Sequence, residues 1–312
     1  MKCAMVNELQ FIEQLRQQFA VRPPVATGIG DDGAVLKNSD GSENVIVTDM
    51  LLDGVHFDLS DTSAELAGRK AVAVNLSDLA AMGCRPTAAF VSIAVPKLAE
   101  SEQLLTELYR GIQGLSKQFD FTVAGGDTNS WNGPFAINVC MTGEPFQGRC
   151  HLRSGAKPGD VLLVTGALGG SLASGRHLSF EPRLNESRWL TGRFDVNAMM
   201  DISDGLAIDL HRMMDASCSG AILTAADIPV HVDVSSDLSP EYRIRASLSD
   251  GEDFELLIAM SPESAVAAQQ SRCGSSGVQL TAVGHVTTER GCRMMDAFGD
   301  IHDLPATGWQ HG

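Results

Sequence analysis

The stretch SAELAGRKAVAVNLSDLAAMG, residues 63–83, decides how the rest of the chain is read. Ser63 is a helix-starting residue, Ala, Leu and Val fill an apolar face, and Gly83 followed by Pro86 stops the run. The spacing predicts one long helix over Ser63–Met82. Its most apolar part, NLSDLAAMG, carries Asn75 and Asp78. A carboxylate there cannot face a dry core at low cost, so Asp78 must face water, a partner or a metal.

Outward from this helix, Asn44–Thr48 and Ala88–Val95 read as strands on either side of it. Leu9, Ile12, Leu15 and Phe19 give Asn7–Ala20 a helical spacing that Pro23-Pro24 ends. Glu100–Phe119 is an amphipathic helix, Phe121–Ala124 a short strand ending at Gly125-Gly126-Asp127, and Phe135–Gly143 another strand. The polar segment RSGAKPGD, Arg153–Asp160, is the natural linker. After it come the strand VLLVTG, a turn at Gly166–Gly170, a strand at Ala198–Ile202, a helix at Leu206–Ala216, and strands at Phe254–Met260 and Gln279–Val286. Strands alternating with helices through both halves predict an α/β (α+β) chain. A length of 312 residues exceeds one ordinary core, so two domains are expected, divided as 1–148 and 149–312.

Composition narrows the function classes. A formal charge of −16 disfavours nucleic acid, whose phosphates are bound through Lys and Arg. Seven scattered cysteines (Cys3, Cys84, Cys140, Cys150, Cys218, Cys273 and Cys292), with no C-x-x-C pair, point away from a disulfide framework or structural zinc and toward a reducing compartment. Apolar runs such as Ala88–Val95 are too short to span a bilayer, and MKCAMVNELQ lacks a signal-peptide core, so a cytoplasmic location without membrane contact is expected.

The acids are gathered beside glycines. GIGDDGAVL, Gly28–Leu36, satisfies G-x-G-x-x-G, but Asp31 and Asp32 occupy the x positions, where they would repel a pyrophosphate unless a divalent cation lay between. VTDMLLDGVHF places Asp49 at a strand end, with Asp53 and His56 in the following loop. AGGDTNS sets Asp127 after Gly125 and Gly126, MDISDGLAIDL sets Asp201 and Asp204 around a strand end, and SDGEDFELL brings Asp250, Glu252 and Asp253 into a turn. Taken singly, each is the ordinary content of a turn or helix cap. Together they describe carboxylates at strand ends, where ligands of α/β proteins collect. Crowded carboxylates repel one another, whereas Mg²⁺ takes oxygen ligands at about 2.0–2.1 Å and joins one or two carboxylates to substrate phosphates. Thr48, Thr128, Ser203, Arg153 and Lys157 are further phosphate-binding candidates, each equally readable as a turn or linker residue. His56 can be a core histidine, and Trp309 can either pack the tail or mark a binding surface. The Walker and protein-kinase signatures are absent.

In this order, GIGDDGAVL, VTDMLLDGVHF, AVNLSDLAAMG, GGDTN, RSGAKPGDVLLVTG, DISDGL, GEDFEL and a terminal Gly-Trp resemble the thiamine-monophosphate kinase family from about Gly28 onward. The resemblance implies an aminoimidazole-ribonucleotide synthetase-like fold: two domains with mixed sheets flanked by helices, paired as a homodimer, with ATP and several Mg²⁺ bound in the N-terminal domain. It implies direct in-line transfer of the γ-phosphate of ATP to thiamine monophosphate. By motif, Asp32, Thr48, Asp49, Asp78, Asp127, Asp201 and Asp204 match the metal ligands, with Asp127 and Asp204 central to catalysis. Arg153, Ser203, Gly126 and Asp127 match ATP contacts, and His56, Glu252 and Trp309 match substrate contacts; Asp31 and Asp53 are only neighbours of matched positions. The chain departs from the pattern in a shortened segment between Gly166 and Pro182-Arg183, in HLSFEPRL, and in the bulky Trp131. The alternatives are a synthetase on the same architecture, passing through a phosphate ester, and a non-enzymatic Ca²⁺- or Mg²⁺-binding protein.

Overall fold

Two mixed sheets enclose the long helix. The structure, a computed structural model, describes residues 8–97, 101–271 and 277–309. Asn7, Glu100, Cys3 and Cys273 lie outside the described residues. The first sheet takes β1 (Val25–Thr27), β2 (Ala34–Lys37), β3 (Glu43–Leu52), β4 (Cys84–Pro96), β5 (Thr122–Trp131) and β6 (Ala136–Pro145) in the order β1-β2-β3-β6-β4-β5. All its pairings are antiparallel except β4 with β5. The second takes β7 (Val161–Thr165), β8 (Val196–Ile202), β9 (Gly220–Thr224), β10 (Glu255–Met260), β11 (Leu280–Thr287), β12 (Gly291–Met295) and β13 (Ile301–Asp303) in the order β13-β12-β9-β11-β7-β10-β8. The helices are α1 (Glu8–Gln18), α2 (Ala64–Ala81), α3 (Ser101–Phe119), α4 (Ser171–Ser174), α5 (Leu184–Thr191), α6 (Leu206–Ala216), α7 (Pro240–Ser249) and α8 (Pro262–Gln270).

Helix α2 forms where its sequence predicts. Ser63 caps it, its hydroxyl accepting from the Leu66 amide at 3.2 Å, and Gly83 ends it in a left-handed conformation. It is buried almost all round, as expected of a helix enclosed between layers. It packs on β3, β4 and β6 of the first sheet and on β8 and β10 of the second. One apolar cluster accordingly runs from Val47, Val91 and Val139 through Leu76 and Leu79 to Met199, Leu256 and Ile258. A second core lies on the other face of the second sheet, under α6. Among the described residues no helix is long and apolar enough to cross a membrane.

Two sequence expectations need correction. Asp49 is not at a strand end: β3 continues to Leu52, because its backbone stays paired with β6 as far as Leu52 opposite Ala136. Asp127 likewise lies inside a strand, since β5 runs through both glycines in parallel register with β4. Gly126 permits this, as a Cβ there would fall 1.8 Å from the Val91 carbonyl oxygen. The GIGDDG turn is followed by β2, not by a helix, which removes the dinucleotide fingerprint.

Glycine also sets how closely α3 approaches α2. A Cβ at Gly68 would lie 2.2 Å from the Leu108 carbonyl oxygen, so the two backbones touch there. Gly68→Ala is expected to destabilise the protein by about 1–3 kcal/mol, because backbone must move apart. Gly114→Ala, on the open side of α3 with nothing within 4 Å, is expected to stabilise it by about 0.4–1 kcal/mol. Denaturant unfolding of both variants checks the pair; equal midpoints would contradict the close approach.

Candidate active site

The site forms where α2 meets the start of the second half of the chain. Asp32 arrives from the turn between β1 and β2, Asp78 from the last turns of α2, and Asp201 from the end of β8. Carboxylate oxygens of these three lie within 4.8 Å of one another. Asp32 and Asp201 are buried, and Asp78 keeps partial access to solvent. Asp49, on the α2-facing side of β3, is close enough for its charge to act on Asp78.

Burial, and then the charges of Asp49, Asp201 and Asp32, hold the Asp78 carboxyl well above the usual range. Burial followed by the charge of Asp32 does the same to Asp201. Burial and Asp32 push Asp31 up to about 7. Two residues ease the crowding. The Ser77 hydroxyl donates to Asp201 at 2.7 Å, and Arg153 Nε donates to Asp32 Oδ1 at 2.9 Å while its backbone amide donates to Asp31. The second oxygen of Asp32, Oδ2, is buried and has no hydrogen-bond partner among the described residues. An all-carboxylate donor set with an unsatisfied buried oxygen fits a hard divalent cation such as Mg²⁺.

The neighbouring loop carries Asp204, paired with Arg212 at 2.6 Å, and its carbonyl accepts from the Trp309 amide at 2.8 Å. The C-terminal segment is thereby tied to the carboxylate loop. The Ser203 carbonyl accepts from the Glu252 amide at 2.6 Å, bringing the 250–253 turn alongside. Glu252 sits at φ +58°, a left-handed conformation that a non-glycine residue keeps only when its surroundings impose it. His56 approaches from the loop after β3, its Nδ1 accepting from the Leu52 amide at 3.0 Å, which places the ring proton on Nε2.

Other sequence candidates lie apart. Thr48 is exposed, its hydroxyl accepting from Asn138 on the sheet face opposite Asp49. Asp127 is exposed in register with Ser92, and Asn138 and Met50 continue that row. Two strands, β6 and β4, separate β5 from β3, so three spacings of about 4.8 Å put Asp127 roughly 14 Å from it. Asp53 serves its own loop, accepting from the Leu59 amide. Asp250 and Asp253 accept from the Gly170 and Gly169 amides, so carboxylates already occupy the donors of that glycine turn. Trp131 donates to the Pro134 carbonyl and Lys157 to Asn197.

Sequence reasoning passed over Ser77, Lys70, His177, Asp209 and Arg212. Lys70 and Ser77 carried the signal that exposed Asp78, polar residues within an apolar helix. Asp209, which accepts from the Asp204 and Gly205 amides, carried none beyond ordinary helix chemistry.

Comparison with known proteins agrees along the whole chain. Residues 30–144 match the AIR synthase related protein N-terminal domain, and residues 157–296 match the C-terminal domain of the same family. A thiamine-monophosphate kinase of Rhodopirellula baltica is 38% identical, covering 98% of this chain and 97% of that protein. One from Bacillus subtilis is 34% identical over 90% of this chain and 91% of its own. Among solved structures, AaThiL complexed with AMPPCP and TMP superposes with a TM-score of 0.83 at 25% identity, covering 100% of both chains. The hydrogenase maturation protein HypE of E. coli shares the fold, with a TM-score of 0.72 at 18% identity over 97% of this chain and 98% of that one.

The raised carboxylates fix a pH dependence. Asp31, Asp209 and Asp253 are each pushed by burial from 3.8 to about 7. A native pKa above the unfolded one means the native state binds more protons, so this stability is full below the unfolded value and is lost as pH rises through about 7. In excess chelator the melting temperature is therefore expected to fall between about pH 5 and pH 8, and millimolar Mg²⁺ to flatten the slope. Thermal melts in EDTA and in Mg²⁺ measure this; a melting temperature that climbs with pH in EDTA would contradict it.

Proposed function

The chain belongs to the AIR synthase-related family, among its thiamine-monophosphate kinases, and from that premise we propose that it transfers the γ-phosphoryl group of ATP to thiamine monophosphate. The products are thiamine diphosphate and ADP, formed in the cytoplasm. One observation carries the reading: Asp32, Asp78 and Asp201 converge from distant parts of a chain similar end to end to named thiamine-monophosphate kinases.

We assign Asp32, Asp49, Asp78 and Asp201, with Asp204 beside them, as the residues that would hold Mg²⁺. When bound, the metal neutralises the carboxylates and the charge of the transferring phosphates. The rest falls to the chain itself. The acceptor phosphate is already ionised near neutral pH, so no general base is needed, and catalysis rests on positioning for in-line displacement. The bond from the γ-phosphorus to ADP breaks as the bond to an acceptor phosphate oxygen forms. His56 offers its Nε2 proton and Glu252 its carboxylate to the acceptor, while Trp309, anchored on Asp204, supplies an aromatic face for its ring. Arg153 and Ser203 serve the nucleotide phosphates.

Thr48, Gly126 and Asp127 lie on or beside the exposed face of the first sheet, and we assign that face to a homodimer. Met50 is 60%, Phe90 41% and Trp131 46% exposed there, and β5 is an open edge. In a dimer, Asp127 contributes to phosphate binding from that covered face.

Incubating the protein with ATP, Mg²⁺ and thiamine monophosphate should yield thiamine diphosphate without release of inorganic phosphate. Phosphate release dependent on an amine donor would instead favour a synthetase. Asp78→Asn, Asp201→Asn and Asp204→Asn are expected to lower kcat by about a hundredfold or more, about 2.7 kcal/mol, while leaving the fold intact. Near-normal turnover in saturating Mg²⁺ would overturn the ligand assignment. Phe90→Asp is expected to yield a monomer in sedimentation analysis.

A further inference from the structure

Lys70 lies on α2, fully buried. A cationic side chain in such a place is costly unless its charge and its donors are all engaged. Its Nζ donates to the His56 carbonyl at 2.8 Å, lies 2.8 Å from His177 Nδ1, and forms an ion pair with Glu252. His56 belongs to the loop after β3, His177 to the helical turn at Arg176–Leu178, and Glu252 to the turn before β10. One ammonium therefore joins both halves of the chain.

The contacts on Glu252 leave it oriented. Lys70 and His177 both address Oε2, the latter at 3.3 Å, and Oε1 has no hydrogen-bond partner among the described residues. The Glu252 backbone is pinned as well, its amide donating to Ser203 and its carbonyl accepting from Ser171 Oγ at 2.6 Å. Burial alone would raise Glu252, but the His177 hydrogen bond and the Lys70 charge outweigh it and hold the carboxyl below its usual value. The Lys70 side chain has no exposure, so it cannot touch a ligand, whereas that of Glu252 keeps 12%.

Resting on the proposed kinase reading, we propose that Lys70 is a positioning residue for the acceptor. It locks the His56 loop and the Glu252 carboxylate in one geometry across the junction of the two halves. Oε1 is then presented to the amine-bearing or positively charged ring of the acceptor. The nucleotide side, built on the carboxylate cluster, does not depend on it.

The test is steady-state kinetics with ATP and thiamine monophosphate varied separately, on wild type, Lys70→Met, Glu252→Gln and the double variant, with a thermal melt of each. Lys70→Met is expected to raise KM for thiamine monophosphate about tenfold or more while KM for ATP stays within about twofold. Because Lys70 acts largely through Glu252, adding Lys70→Met to Glu252→Gln is expected to raise that KM by much less than Lys70→Met does alone, the remainder coming from the released His56 loop. Equal changes in both KM values, or full additivity in the double variant, would overturn the assignment. If either single variant fails to fold because its partner's charge is left buried and unpaired, the double variant, which buries no lone charge, decides against wild type. Its KM for thiamine monophosphate is then expected to rise about tenfold or more with KM for ATP within about twofold, and equal changes in both would overturn the assignment. A wild type that makes no thiamine diphosphate refutes the kinase reading instead, so the two failures are distinguishable.

Discussion

Carboxylates that repel one another in a desolvated junction are the constraint on which the rest of this structure depends. Asp32, Asp78 and Asp201 come within 4.8 Å from a turn, a helix and a strand. Bringing them together opposes folding, because burial and mutual charge both disfavour their ionised forms. The surrounding chain answers with fixed donors. Ser77 serves Asp201, Arg153 serves Asp31 and Asp32, and Arg212 pairs with Asp204 and Asp209. The charge of Asp32 outweighs the burial of Arg153 and keeps its guanidinium firmly ionised. Among the described residues the buried Asp32 Oδ2 is left unanswered, the feature that suits the cluster to a cation.

Such a cluster needs a rigid support, and α2 supplies it. The helix is enclosed by α3 on one flank, where Gly68 admits the α3 backbone, and by both sheets. Three of its polar side chains reach the second half of the chain. Ser77 and Lys70 reach Asp201 and Glu252, and Arg69 donates to the Phe180 carbonyl at 2.6 Å. The Ser187 hydroxyl in turn donates to the Ala80 carbonyl at 2.6 Å. Bonds made by so enclosed a helix fix the two halves against each other, because few of their atoms can exchange partners with water. The segment after Gly166 delivers His177 to Lys70 and Arg183 to Glu255.

Parts of this were written in the chain order. The cap at Ser63, the stop at Gly83, the isolated Asp78 and the acids beside glycine are local signals, and local chemistry alone makes them readable. They determined the long helix, the α/β (α+β) class and the two-part plan, and their order determined the family. Strand lengths were less legible: β3 and β5 run on past Asp49 and Asp127, because a strand lasts as long as its partner does. Only the tertiary structure decided which acids share a site. It set Asp32, Asp78 and Asp201 together, left Thr48 and Asp127 on the exposed sheet face, and made Lys70 a tie between the halves. The physical reason is that burial and cross-sheet proximity are properties of the packed layers, and a residue's neighbours along the chain carry no record of them.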